Sequence, residues 1–218
     1  MLLSRLMEIS REKNSRLILA VDRPASSDLI EALSDLVVAV KVGLPLIFEI
    51  GLDAAAEIRS EYRIADIKMA DVPFINSILV EKLLNKGFDC VIAHIFPFSL
   101  EEPVKLVHQM GRDMIGVLVM SHGAPLLEEN VEKMLSYGID VGIDGLVVGA
   151  TRPEQIRRVR ELTDLPIISP GVIKQGAPPG EALRYGADFE IVGRAILSSE
   201  DPVKAAEEIV RRERLVRS

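Results

Sequence analysis

At 218 residues the chain is long enough for one sizeable core and sits at the short end of the range for a single α/β barrel. Its 26 Lys and Arg against 33 Asp and Glu give a formal charge of −7, which denies the surface as a whole a footprint for nucleic acid or an anionic membrane; a phosphate ligand needs a local basic site. Hydrophobic residues reach 48%, but charge interrupts them everywhere, and no run approaches the ~18 apolar residues of a membrane-spanning helix.

In chain order, Leu2, Leu3, Leu6, Met7 and Ile9 alternate with Arg5, Glu8 and Arg11, which predicts an amphipathic helix at about 2–14. That segment lacks the unbroken apolar stretch of a signal peptide, so the expected location is cytoplasmic. Leu17 to Val21 reads as a strand and ends on Asp22. No Gly-x-Gly-x-x-Gly follows it, which argues against a doubly wound dinucleotide-binding sheet. Val37 to Val42, carrying Lys41, is the second strand, and Leu46 to Arg59 has helical periodicity. Ile64 to Ile67 is the third strand, with Asp66, Lys68 and Asp71 at its end; Ile75 to Lys86 is again helical in pattern.

The next strand signals repeat one unit: Gly87-Phe88-Asp89 before Cys90 to His94, Gly142-Ile143-Asp144 before Gly145 to Gly149, and Gly186-Ala187-Asp188 before Phe189 to Gly193. Each glycine suits the left-handed residue that closes a helix, and each continuous apolar run suits a parallel strand buried on both faces. With Met114 to Met120 and Pro166 to Ser169 the count of strands is eight. They follow one another at the spacing of βαβ crossovers, and strict alternation predicts one (β/α)₈ barrel domain over residues 1–218. The single cysteine, Cys90, lies inside an apolar run and is expected to be packing. Pro170 to Gly180 is rich in proline and glycine and is too short to separate domains, but suits a mobile loop.

Barrel enzymes carry their chemistry at the C-terminal ends of the strands. Here those ends bear Asp22, Lys41, Asp66 with Lys68 and Asp71, His94, Ser121, and Gly193-Arg194. The period of two turns Asp66 and Lys68 to the same side, into the barrel. Together with Lys41 and Asp22 they form an alternating array in which each close opposite pair contributes roughly 4 kcal/mol at an effective dielectric near 20. Such an array keeps both lysines protonated. A protonated lysine cannot form a Schiff base, but it can deliver a proton to a carbanion and stabilise negative charge before doing so. The three histidines lack ligand spacing, so no metal site is expected.

Leu19-Ala20-Val21-Asp22, Val40-Lys41-Val42-Gly43, Asp66-Ile67-Lys68-Met69-Ala70-Asp71-Val72-Pro73, Met120-Ser121-His122-Gly123, Ser169-Pro170-Gly171-Val172 and Val192-Gly193-Arg194 occur in this order over nearly the whole chain. In this the sequence resembles the orotidine 5′-monophosphate decarboxylases, in the compact form of archaeal members. The resemblance implies conversion of orotidine 5′-monophosphate to uridine 5′-monophosphate without cofactor or metal. It makes Lys68 the proton donor to C6, with Asp66 beside the departing carboxylate and Lys41 linking the array to the ribose. Asp71 is expected to reach the partner's site in a homodimer. Asp22 is then a ligand of the ribose hydroxyls and Ser121 of the pyrimidine edge; Pro170 lines the site, and Gln175, Gly193 and Arg194 hold the phosphate. Pro170 to Gly180 corresponds to a phosphate-gripping lid. Relatives often carry threonine where this chain has Ile75. Two alternatives are a magnesium-dependent 3-keto-gulonate 6-phosphate decarboxylase or hexulose-phosphate synthase, which typically place Glu at Lys41, and a non-catalytic barrel that binds a nucleotide phosphate.

Overall fold

The computed structural model describes residues 3–217, with side chains to residue 216. Eight parallel strands close into a barrel in sequence order: β1 Leu17–Val21, β2 Ala39–Gly43, β3 Arg63–Met69, β4 Cys90–His94, β5 Asp113–Val119, β6 Gly145–Val148, β7 Ile167–Pro170 and β8 Phe189–Val192. Helices lie between successive strands, as the expected (β/α)₈ alternation requires. Among the described residues no helix is long and apolar enough to cross a membrane.

Two apolar layers hold the barrel. Inside it, Ile18, Ala39, Ile64, Cys90, Ile92, Ile115, Val147, Ile168, Phe189 and Ile191 form one buried cluster, and the outward residues of the same strands pack against the helices. Because both faces are buried, β1 and β2 are continuous apolar runs broken only by Lys41. Cys90 is fully buried in the inner cluster. The helix Ser4–Lys13 sends Leu6 and Ile9 into this cluster, and Leu3 just before it lies where a side chain on Gly145 would sit, so the helix covers the N-terminal end of the barrel. Residue 2 of the predicted helix falls outside the described residues.

The repeated Gly-x-Asp has a structural explanation. All three glycines adopt positive φ, at 84°, 86° and 107° for Gly87, Gly142 and Gly186. Each aspartate then accepts the backbone N–H near the start of the preceding strand: Asp89 from Arg63 at 2.9 Å, Asp144 from Met114 at 2.9 Å and Asp188 from Ile167 at 2.9 Å. Arg112, His108 and Arg160 respectively reach the same three carboxylates from neighbouring segments. The repeat is a clamp that fastens β4, β6 and β8 to their predecessors.

Two elements differ from expectation. The helix predicted over Leu46 to Arg59 is two, Leu44–Ile50 and Leu52–Ala56, because Gly51 takes φ 84° and ψ 157° and ends the first. β3 is longer than predicted and irregular: Ala65 pairs with Val91 but Met69 pairs with Ala93, so four steps on β3 face two on β4. Within that bulge Lys68 has φ +47°, a left-handed conformation that side chains rarely take.

Candidate active site

The C-terminal mouth of the barrel opens into a cavity of about 450 Å³. Lys41 and Asp66 stand on its wall, at inward positions of β2 and β3, with side chains only 7% and 6% exposed. Their Nζ and Oδ2 lie 2.7 Å apart. Lys41 also approaches Asp22 Oδ1 at 3.4 Å, and Lys68 Nζ donates to both oxygens of Asp66 at 2.8 Å. The alternating Asp22–Lys41–Asp66–Lys68 chain predicted from sequence is therefore present, but not by simple alternation. The bulge and the left-handed turn at Lys68 bring its ammonium back over Asp66.

The electrostatics follow from these contacts. Burial by itself pushes the Lys41 pKa down, but Asp66 and then Asp22 outweigh it and the ammonium is held above its ordinary value. Burial works against ionised Asp66 too, and the two lysines overcome it, so its carboxyl lies below the usual range. Asp66 is a fixed anion whose two oxygens are occupied by lysine, and Lys68, with 38% of its side chain exposed, is the end of the chain that faces the cavity. Gly43 makes room for this: a β-carbon there would stand 1.8 Å from Asp22 Oδ1.

Around the opposite rim the cavity is lined by Ser121, Pro170, Gln175, Gly193 and Arg194, all expected there. Gly193 allows β8 to pass close to β1, since a β-carbon would sit 2.7 Å from the Ala20 carbonyl oxygen. Arg194 and Gln175 are exposed at the mouth. Asp71 is the one expected catalytic residue that its own chain does not bring to the array. It lies in the exposed run 70–75, and among the described residues its carboxylate accepts only the N–H of Val72, at 2.7 Å. Asn76 and Ser99 fasten that turn by donating to the Asp71 carbonyl.

Some lining residues were not foreseen. Ala20, Ile92, Val147 and Ile191 form an apolar floor, with Met120 and Lys174 at the sides. The floor had a signal, since each of the four stands two residues before a strand-end residue, Asp22, His94, Gly149 and Gly193, and so faces inward. Lys174 had none beyond its place in the loop. The His94 ring lies tilted against that of Phe96, centroids 5.1 Å apart, and its buried Nδ1 has no hydrogen-bond partner among the described residues. Burial and then the charge of Lys68 lower its pKa, with Asp66 opposing, which keeps the imidazole neutral. Among the described residues no three His, Cys, Asp or Glu side chains form a metal-ligand set.

Residues 15–209 match the model of the orotidine 5′-phosphate decarboxylase / HUMPS family. Two proteins named orotidine 5′-phosphate decarboxylase, from Methanosarcina mazei and Methanococcoides burtonii, are each 38% identical over 208 residues, spanning 91% of this chain and 94% and 97% of theirs. The crystal structure of orotidine 5′-monophosphate decarboxylase from Sulfolobus solfataricus superposes with TM-score 0.87 at 30% identity, covering 94% of this chain and all of that one. That of the Methanocaldococcus jannaschii enzyme complexed with inhibitor BMP gives 0.79 at 30% identity, covering 91% and 98%. On the family model, the archaeal relatives and the shared barrel together, this chain belongs to the orotidine 5′-phosphate decarboxylase family.

Proposed function

We propose that the chain decarboxylates orotidine 5′-monophosphate to uridine 5′-monophosphate and carbon dioxide, a step of pyrimidine nucleotide synthesis, with Lys68 as proton donor. The observation that carries this is the Asp22–Lys41–Asp66–Lys68 chain ending in a part-exposed ammonium at the cavity. When the bond from C6 to the carboxylate breaks, its electron pair stays on C6 as a carbanion that the ring delocalises poorly. An ammonium fixed at that point stabilises the charge and then transfers a proton to C6, becoming an amine that solvent recharges. Asp66 stands beside the departing carboxylate, and Lys41 ties it to the ribose side. Asp22 binds ribose hydroxyls and Ser121 the pyrimidine edge, with Pro170 against the bound nucleotide. Arg194, Gln175 and the Gly193 backbone take the phosphate. Arg194 suits this because it enters no ion pair with another described residue. No cofactor or metal takes part.

The active form we propose is a homodimer in which Asp71 reaches the partner's site. Supporting this, Phe48, Val72, Phe74, Ile75, Phe96 and Phe98, in the segments that follow β2, β3 and β4, are exposed, with Phe48 82% and Phe74 69% accessible. The test is loss of substrate absorbance on adding purified protein in excess chelator, beside Lys68→Ala. Turnover that resists chelator and vanishes in the variant is expected. No turnover from folded dimer, or turnover only of sugar phosphates with magnesium, would overturn the reading.

A further inference from the structure

β8 carries one charged side chain on its outer face, Glu190, which is 0% exposed. Its register neighbours are Leu17 on β1 and Ser169 on β7. Its hydrogen-bond partners are backbone amides: Gly180 N–H donates to Oε2 at 2.8 Å and Ala182 N–H to Oε1 at 3.1 Å, with Leu183 contributing a third. Gly180 ends the loop that begins at Pro170 and that places Lys174 and Gln175 in the cavity wall. Three and four residues beyond Glu190, the end of the same strand delivers Gly193 and Arg194. One carboxylate thus ties the far end of the loop to the strand that forms the opposite side of its grip. Behind the loop, between Pro178, Pro179 and Ile209 of the C-terminal helix Pro202–Arg217, lies a groove of about 510 Å³.

We propose that Glu190 is a positioning residue for the reaction: ionised, it fixes the hinge on which the loop closes over the substrate phosphate, and protonated, it releases that hinge. This rests on the reading of Arg194 and Gln175 as phosphate ligands. Burial raises the Glu190 carboxyl to about 7, which the amides only partly offset and the charge of Glu181 reinforces. The other charges near it are engaged. Arg16 gives its carbonyl to the Glu190 N–H and lays its guanidinium over Phe189. Glu213 accepts the Arg16 N–H, Arg212 binds Glu208, and Arg160 binds Asp188. From β7, Ser169 adds only a hydroxyl that lacks a partner. Protonation costs the anchor most of its accepting strength, so the Michaelis constant rises as pH falls through the neutral range.

The experiment compares wild type, Glu190→Gln and Glu190→Leu between pH 6 and 8, reading kcat and KM separately and amide exchange at Gly180, Ala182 and Leu183. We expect KM about tenfold higher in both variants at pH 8 with kcat within twofold, faster exchange at those amides, and a wild-type-to-variant KM ratio that narrows toward pH 6. Taking the ratio removes the substrate phosphate's own titration, common to all three. Glu190→Leu, which leaves these N–H groups without their acceptor, is expected to melt a few degrees lower than wild type but to stay folded at the assay temperature, which separates loss of the anchor from loss of the fold. Wild-type KM and exchange in both variants, or parallel losses of stability and kcat, would overturn the proposal. Arg194→Ala is the control on the parent reading: if it leaves the affinity for uridine 5′-monophosphate relative to uridine unchanged, the phosphate assignment fails whatever Glu190 does.

Discussion

Lys68 holds its ammonium over Asp66 through a backbone turn with φ +47°, and the energy of that turn, of order 1 kcal/mol or more, is offset by the two hydrogen bonds it makes possible. Asp66 in turn is buried among cations and cannot move aside without losing them. If Lys68 is the proton donor, its position and charge are set before substrate arrives, which is where electrostatic catalysis gains most. Lys68→Ala should lower kcat/KM by at least about 10⁴-fold, combining loss of the general acid with loss of the fixed charge, while the melting temperature stays within a few degrees; a stopped assay on folded protein checks this. Lys41→Met should act differently. It leaves Asp66 buried with one partner fewer, so it should cost about 3 kcal/mol or more of stability in urea titration along with activity. The charged array was legible in the sequence because strand ends in a barrel converge and Asp66 and Lys41 occupy inward positions. The left-handed turn was not, because lysine gives no local signal for it.

At the scale of elements, the Gly-x-Asp repeat is the clearest case of a pattern whose meaning needed the structure. The glycine announced a helix end, but the aspartate's task, accepting an N–H from the preceding strand, depends on a neighbour in space 21 to 30 residues away in sequence. Removing one such acceptor leaves a buried donor without a partner. Asp188→Ala also removes the ion-pair partner of Arg160, which keeps its bonds to the Gly186, Thr163 and Leu165 carbonyls, and should cost about 1–3 kcal/mol in chemical denaturation with kcat unchanged; a large fall in kcat would mean that β7 and β8 hold the site more directly than the contacts suggest. Strand order and most helices could be read from the runs, whereas the break at Gly51 could not, since periodicity continues through a glycine whose φ and ψ alone decide the kink. The apolar floor of the cavity falls between these cases, fixed by counting two residues back from each strand end.

For the whole molecule, two buried carboxyls pull stability in opposite directions with pH. Asp66 lies below its ordinary pKa, so its contribution is present above that value and is lost as pH falls. Glu190 lies above, at about 7 against 4.5, so its contribution is full below about 4.5 and is lost as pH rises through about 7, roughly 3 kcal/mol in all. Stability should therefore decline from pH 5.5 to pH 8, and Glu190→Leu should remove most of that decline in urea titrations at the two values. Association acts on the same scale. Replacing Phe74 with aspartate on the exposed apolar face should give monomers by sedimentation and little activity, whereas an active monomer would show that Asp71 serves no second site.

The helix Ser4–Lys13 gives the barrel a floor, with Leu3 and Leu6 fully buried against the inner cluster. The chamber is therefore a room with one door. On the proposed reading, whatever enters by the mouth leaves by it, the gas and the nucleotide in turn, and a loop that closed over the substrate would also stand between the finished product and the solvent.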